Sequence, residues 1–405
     1  MHQLARRKIP KKNKPAHFGN RLLDPQLYLA NLSAAESPKA CQYLASYPWF
    51  GIEGLPTYDS AQISQREWKD LTLAQIVAEW PGVAPSDDAM VKKAVESCLD
   101  FQVQQQDCKA IIAPSPLTSD PNTSYDVELD WLDRSIAYAE AQKIDLPIYA
   151  TVAITDSCLR YTAPSSNRLL DLILDTVSSR AVKGVYLVIE QGAEPSERRQ
   201  CASSKTLESI LYFVHTFSKE CNLEVIVNFL GHFGLVCQAA GAAGWASNWY
   251  KSLYRLRLAD KLQGGRSFPS LWSSSINADI HLRDDLDQIN RHNLLEEAME
   301  ITPFTVSLSA ALKARDPVSK VPDWAYRSSN VTSAINHYLS SAIAQTILLE
   351  SVSESGQLDF VEEKLEHASR LARRVQGILT TGATHLEHVP VWLEALKNHR
   401  RSHKV

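Results

Sequence analysis

The sequence predicts an α/β fold: a parallel (β/α)8 barrel of the TIM type with a helical insertion and a C-terminal helical layer. Two observations predict it. Apolar runs of strand length alternate with amphipathic helical segments, and the alternation repeats five or six times at the spacing of right-handed βαβ units. The length agrees, since 405 residues accommodate a barrel of about 250 residues with additions. A doubly wound open sheet is the structural alternative, because alternation alone does not show that the ring closes.

The elements read in order as follows. Residues 1–18 form a basic arm with Arg6, Arg7, Lys8, Lys11, Lys12 and Lys14 and no acid before Asp24. The run "NRLLDPQLYLANL" reads as a first strand, ended by Asp24-Pro25 where proline removes a backbone donor. The segment "SYPWFGIEGLPTYDS" is turn-rich yet aromatic, so Trp49, Phe50 and Tyr58 belong to an ordered loop. Helices at about 64–79 and 87–106 make the insertion (60–107), the second opened by Ser86 and Asp87 as capping residues. "KAIIAPSP", "LPIYATVAIT", "KGVYLVIEQG", "LEVIVNFLG" and "AAGWASN" read as strands. Helices at 126–142, 166–178, 204–220, 233–242 and 249–262 alternate with them. "ADIHLRDDLDQINRHNLLEEAMEI" reads as a polar helix, which carries the barrel to residue 305. Residues 306–405 form the helical layer, where Val361, Leu365, Ala368, Ala372, Val375 and Leu379 repeat at heptad-like spacing. That seam packs on the protein's own core or joins two copies as a homodimer.

Composition excludes several classes. Hydrophobic residues at 44% and charged residues at 22% are ordinary globular usage, and a net charge of -4 gives no global pull toward nucleic acid. No apolar run approaches the length of a membrane span, and the N-terminus lacks the apolar stretch of a secretory signal, so a cytoplasmic location is expected. Seven cysteines stand at least ten residues apart, which argues against a disulfide framework or a Cys-x-x-Cys zinc site. Neither a metal nor a cofactor is called from these spacings.

In a parallel barrel the carboxyl ends of the strands converge on one mouth, and polar residues there are the candidates. They are Asp24, Ser115, Thr151, Thr155, Glu190, Gln191, Asn228, His232, Ser247, Asn248 and Lys251. Asp24 and Glu190 are the sharpest pair. Two carboxylates in a partly dry pocket acquire different pKa values, one serving as base and one as acid, although each also reads as a helix cap or an ion-pair partner. Glycines flank His232 in "NFLGHFG", and no Gly-Lys-Ser/Thr follows, so the loop is not a P-loop. Lys251, Arg255, Arg257, Lys261 and Arg266 cluster in "KSLYRLRLADKLQGGR" and suit phosphate contacts.

The segment "LLDPQ" at Asp24, together with "FLGHFGLVCQAAGAAGWASN" carrying Gly231 and Gly244, resembles the tRNA-guanine transglycosylase superfamily, including relatives that act on DNA. The match covers roughly residues 20–265 as topology. The family's attacking Asp is missing from "GWASNW", and its cysteine-rich zinc site is missing too. The resemblance therefore implies a nucleobase glycosylase that uses water, acting on a modified or damaged base, in DNA rather than RNA, in repair or defence against invading DNA. Asp24 would face the sugar, while Glu190, Gln191, Asn228, His232, Ser247 and Asn248 would contact the base. Two other readings stand beside it: a non-catalytic barrel binding nucleic acid or a partner, and an unrelated lyase or aldolase using Lys251 or His232.

Overall fold

Strand and helix alternate because the apolar pattern switches between periods of two and about 3.6, and the computed structural model follows that switch through residue 246. It describes residues 22–50, 65–105, 108–194, 200–247, 254–258, 268–327 and 330–404. Helices α1 (Pro38–Leu44), α2 (Gln65–Glu79) and α3 (Asp88–Val103) come first, and Asp87 caps α3 by accepting from the amides of Ala89 and Met90. Then follow β1 (Ile111–Ile112), α4 (Asp126–Ala141), β2 (Ile148–Thr155), α5 (Arg168–Ser178) and β3 (Gly184–Glu190). Helix α6 (Ser204–His215) continues as a π-helical turn, Thr216–Glu220, before β4 (Glu224–Asn228), α7 (Gly234–Ala239) and β5 (Gly244–Ala246).

Among the described residues these five strands form one parallel sheet in the order β1-β2-β3-β4-β5. It sweeps 194° and stops, so the expected closed eight-stranded barrel is a half-barrel. Three features account for this. From residue 22, where its described part begins, the stretch "NRLLDPQLYLANL" makes no strand: Gln26 turns into left-handed backbone at φ 58°, and Leu27–Leu29 form a 3-10 turn. At the β1 edge, the buried Gln102 side chain takes the place of a neighbouring strand. Its Nε2 donates to the Ile112 carbonyl and its Oε1 accepts from the Ile112 amide, both at 2.9 Å. At the far side, "ADIH" is not helical. Ala278–His281 is a strand, β7, pairing antiparallel with β6 (Ser270–Ser273) in a separate two-stranded sheet.

Sequential order with right-handed crossovers puts the connecting helices on one side of the sheet. That outer face is wholly apolar: Val152, Ile154, Val185, Leu187, Ile189, Val225 and Val227 are all buried. The register places Thr151, Tyr186 and Ile226 at one level of the inner face, then Ala153, Val188 and Asn228, then Thr155 and Glu190. Gly184 lets β3 lie close to β4, since a Cβ there would stand 2.1 Å from the Glu224 carbonyl oxygen.

The remaining chain builds a second core around the hairpin. Helices α8 (Asp285–Arg291), α9 (Leu295–Ala298), α10 (Val306–Lys313), α11 (Val331–Glu350), α12 (Gln357–Gln376) and α13 (His388–His403) follow β7. Leu271, Ile280, Leu286, Leu308 and Trp324 pack there with Ala368, Leu371 and Val375 of α12. Val361, Leu365 and Trp392 belong to the sheet's core instead, so the heptad-like seam is spent inside the chain. Among the described residues no helix is long and apolar enough to cross a membrane. Five of the seven cysteines are buried, consistent with small core residues.

Gln102 bears directly on the sheet edge. Gln102→Leu strands a buried amide and a buried carbonyl, and is expected to lower unfolding stability by about 2–5 kcal/mol in urea titration with an unchanged m-value.

Candidate active site on the inner face of the half-barrel

Asp24 enters the inner face from the irregular N-terminal segment rather than from a strand end. Its Oδ1 accepts from the Gln26 amide at 3.0 Å. Its Oδ2 accepts from the Tyr28 hydroxyl at 2.5 Å and from the Tyr186 hydroxyl at 3.1 Å. Asn228 in turn donates its Nδ2 to the Tyr186 oxygen, while its Oδ1 accepts from the Phe229 amide at 2.8 Å. The segment is fixed behind this network by Trp49, whose Nε1 donates to the Pro25 carbonyl at 2.9 Å. Burial raises the Asp24 pKa above the ordinary carboxylate value, and the hydrogen bonds from Tyr28, Gln26 and Tyr186 oppose that rise. The same burial, with the Asp24 charge alongside, pushes both phenols well above 10, so both remain donors. Asp24 itself keeps partial solvent contact.

Glu190 lies four residues beyond Tyr186 on β3, about 13 Å along the strand at 3.3 Å per residue. Its Oε2 accepts from Gly192 and its Oε1 from Leu258, at 3.0 and 2.9 Å. Both oxygens therefore anchor backbone, and the carboxylates of Asp24 and Glu190 share no hydrogen-bond partner. The returning segment 254–258 fills the space that β4 leaves when it turns away at Phe229, in left-handed backbone at φ 58°. Leu256 bridges to Glu190 and Arg255 to Leu230.

Asp156 was not among the sequence candidates, though it follows the apolar run of β2 as directly as Glu190 follows that of β3. It is 1% exposed, its Oδ1 accepts from the Ala193 amide at 3.1 Å, and its Oδ2 has no partner among the described residues. Burial raises its pKa, with Arg160 and Arg255 opposing and Glu194 assisting. Burial likewise raises Glu190, with Asp156 assisting and Arg257 opposing. Arg160 reaches Glu194 at 3.5 Å. Arg255 and Arg257, expected to meet phosphates, thus lie in the field of this acidic group at the ends of β2 and β3.

The other candidates scatter. Gln191 is fully buried and its Nε2 donates to the Phe229 carbonyl at 3.1 Å. Ser247 accepts from the Tyr338 hydroxyl at 3.0 Å. Ser115 and Thr155 are buried, and Thr151 donates to the Ala113 carbonyl. His232 follows Gly231, where a Cβ would stand 2.3 Å from Gln200 Oε1. Its ring sits among Trp245, Trp272 and Tyr338, with centroids at 5.6, 4.6 and 6.0 Å. Neither ring nitrogen has a hydrogen-bond partner among the described residues, and burial lowers the pKa to about 3. The basic arm, Tyr58, Asn248, Lys251, Lys261 and Arg266 lie outside the described residues.

Against protein-family models, curated proteins and solved structures the chain was compared in turn, and none matches. The residues themselves therefore carry the functional argument. What they offer is a carboxylate held by three hydrogen bonds on a part-buried residue, Asp24, and a buried carboxyl group with an unused oxygen, Asp156.

Buried histidines set an acid limit. His232 and His388 have pKa values lowered by burial to about 3 and about 4, whereas the unfolded chain takes up protons near 6.5. Their contribution is complete above about pH 6.5 and is lost as pH falls toward those lower values. Thermal unfolding measured from pH 7 to 5 should show a falling Tm. His232→Phe, which removes two unpartnered nitrogens, should make that fall shallower and raise stability at pH 7 by about 1 kcal/mol.

Proposed function

We propose that this chain hydrolyses an N-glycosidic bond of a modified or damaged base in DNA, with Asp24 as the carboxylate that faces the sugar. The observation that carries this reading is the Asp24-Tyr28-Tyr186-Asn228 network on the inner face. Breaking the bond to the base builds positive charge on the sugar, and an oriented carboxylate in a partly dry site stabilises that charge more than one in bulk water. Two phenol donors hold Asp24 in one orientation and favour its ionised form. Asp24 takes the proton of the attacking water, whose oxygen bonds to the sugar carbon. The base departs with the bonding pair and is protonated from solvent. The base must first leave the duplex, at a cost of a few kcal/mol that phosphate contacts from the basic arm would offset. A cytoplasmic location and a role in repair or defence belong to the same reading.

A second reading, a nucleic-acid-binding protein without catalysis, is favoured by one observation. Glu190 and Gln191, expected to read the base, instead hold backbone.

Release of abasic sites from modified DNA separates the two. Asp24→Asn should reduce the rate by about a thousandfold or more, and Tyr186→Phe by about ten- to a hundredfold, with DNA binding retained. The acid limb of kcat/KM should lie above the ordinary carboxylate value of 3.8, and loss of the Tyr186 donor should move it higher still. Full activity in Asp24→Asn would exclude the mechanism, and absence of any base release by the intact chain would favour the binding reading.

A further inference from the structure

Away from the inner face, helices α6 and α13 pack side by side, fixed by Asn398 Nδ2 donating to Glu208 Oε1 at 2.8 Å and Trp392 Nε1 donating to the Cys201 carbonyl at 2.9 Å. Their carboxyl-terminal ends bring three imidazoles together. His399 and His403 are one turn apart on α13, so they share a face. His215 ends α6 opposite them. The ring centroids of His215 lie 4.0 Å from His403 and 5.4 Å from His399, and those of His399 and His403 are 4.7 Å apart.

A carboxylate completes the group. Glu220 is five residues beyond His215, a spacing that an α-helix turns well away from the starting face. The chain is π-helical over Thr216–Glu220, and i→i+5 hydrogen bonding brings the fifth residue back nearly above the first. Glu220 Oε1 consequently stands 4.0 Å from His215 Nε2. One ligand atom from each of His215, Glu220 and His403 lies within 4.8 Å of the others, and among the described residues no other set of three histidine, cysteine or carboxylate groups does so.

We propose that His215, Glu220 and His403 bind a divalent metal ion of the zinc class, with His399 as the fourth donor. Nitrogen and carboxylate ligands at 2.0–2.2 Å from tetrahedral zinc stand about 3.3 Å apart, so closing the site asks His215, Glu220 and His403 each to turn inward by about an ångström, while His399, outside that 4.8 Å set, has further to move. His399 is buried and its Nε2 has no partner among the described residues, an orientation that a metal-ligand bond would satisfy. Glu220 is largely exposed, which leaves a path for the ion from solvent. Nearby cations are committed elsewhere: Lys219 to Glu354, and Arg400 to Asp359 and Glu362. A metal here would cross-link the helix that follows β3 to the last helix of the chain, which makes the site structural and independent of the inner-face chemistry.

Calorimetric titration of the full chain with Zn2+ should show one saturable site, Co2+ should give the visible bands of a tetrahedral complex, and Mg2+ should give neither. His215→Ala and His403→Ala should each weaken Zn2+ binding by tenfold or more, at about the level of losing a ligand, and should abolish the Zn2+-induced rise in Tm. Glu220→Gln, at a largely exposed side chain where folding is not at risk, should weaken binding too. Lys219→Gln, which leaves the ligands in place, should bind as the parent does. Absence of saturable Zn2+ binding, or equal binding by the parent and the Glu220→Gln and His403→Ala variants, overturns the proposal.

Discussion

Two hydrogen bonds between one side-chain amide and the main chain of Ile112 decide what kind of protein this is. A strand edge carries unpaired amides and carbonyls, and in a closed ring the last strand would satisfy them. Here Gln102 of α3 does so from a fully buried position. The sheet needs no further neighbour at that edge, and its inner face becomes available to something other than barrel side chains. The N-terminal segment occupies it, held by Trp49 and Trp80, whose indole N–H groups donate to Pro25 and Leu32 carbonyls. Asp24 is part of that occupation, so the polar network exists because the ring is open.

The rest of the architecture follows from the contrast between the two faces. Strands β2, β3 and β4 give the helices a continuous apolar surface, whereas Thr151, Tyr186, Asn228 and Glu190 point the other way. Polar side chains there must find partners. They find them in three different manners: Tyr186 in Asp24 with Asn228 donating to the Tyr186 oxygen, Thr151 in the Ala113 carbonyl, and Glu190 in the amides of Gly192 and Leu258. Only the first involves a carboxylate on a residue that is part-buried rather than buried, which is why the proposed chemistry is placed there rather than at the strand ends.

Much of this was legible in the chain itself. The helices with regular apolar spacing and the strands β2, β3 and β4 stand where the pattern put them. Closure was not legible, because it depends on Gln102, a polar residue inside a helix with nothing local to show that it reaches a strand edge. "NRLLDPQLYLANL" misled because its apolar residues pack as a 3-10 turn with Tyr28 buried. In "ADIHL" the strand signal was present: Ala278, Ile280 and Leu282 are buried and alternate with Asp279 and His281. The longer polar stretch around it concealed the period of two. Asp24 stands out in the sequence as a carboxylate that directly follows an apolar run. Its partners Tyr28 and Tyr186 do not, since a tyrosine within an apolar run is indistinguishable from core. Asp156 obeys the same rule as Glu190, following an apolar strand directly. The histidine cluster joins residues from opposite ends of the second half of the chain, a proximity that only the packed helices create.

The hydrogen bond from Tyr186 to Asp24 spans 162 positions of sequence, whereas the sheet is assembled from neighbours in order. As the polypeptide leaves the ribosome, α3 and β1 are available to meet long before β3 exists. Until then Asp24 has only its local donors, Gln26 and Tyr28. Maturation of the inner face is therefore a late event set by the emergence of β3 and β4, and a nascent chain halted before residue 186 would carry the acid without the phenol and amide that orient it.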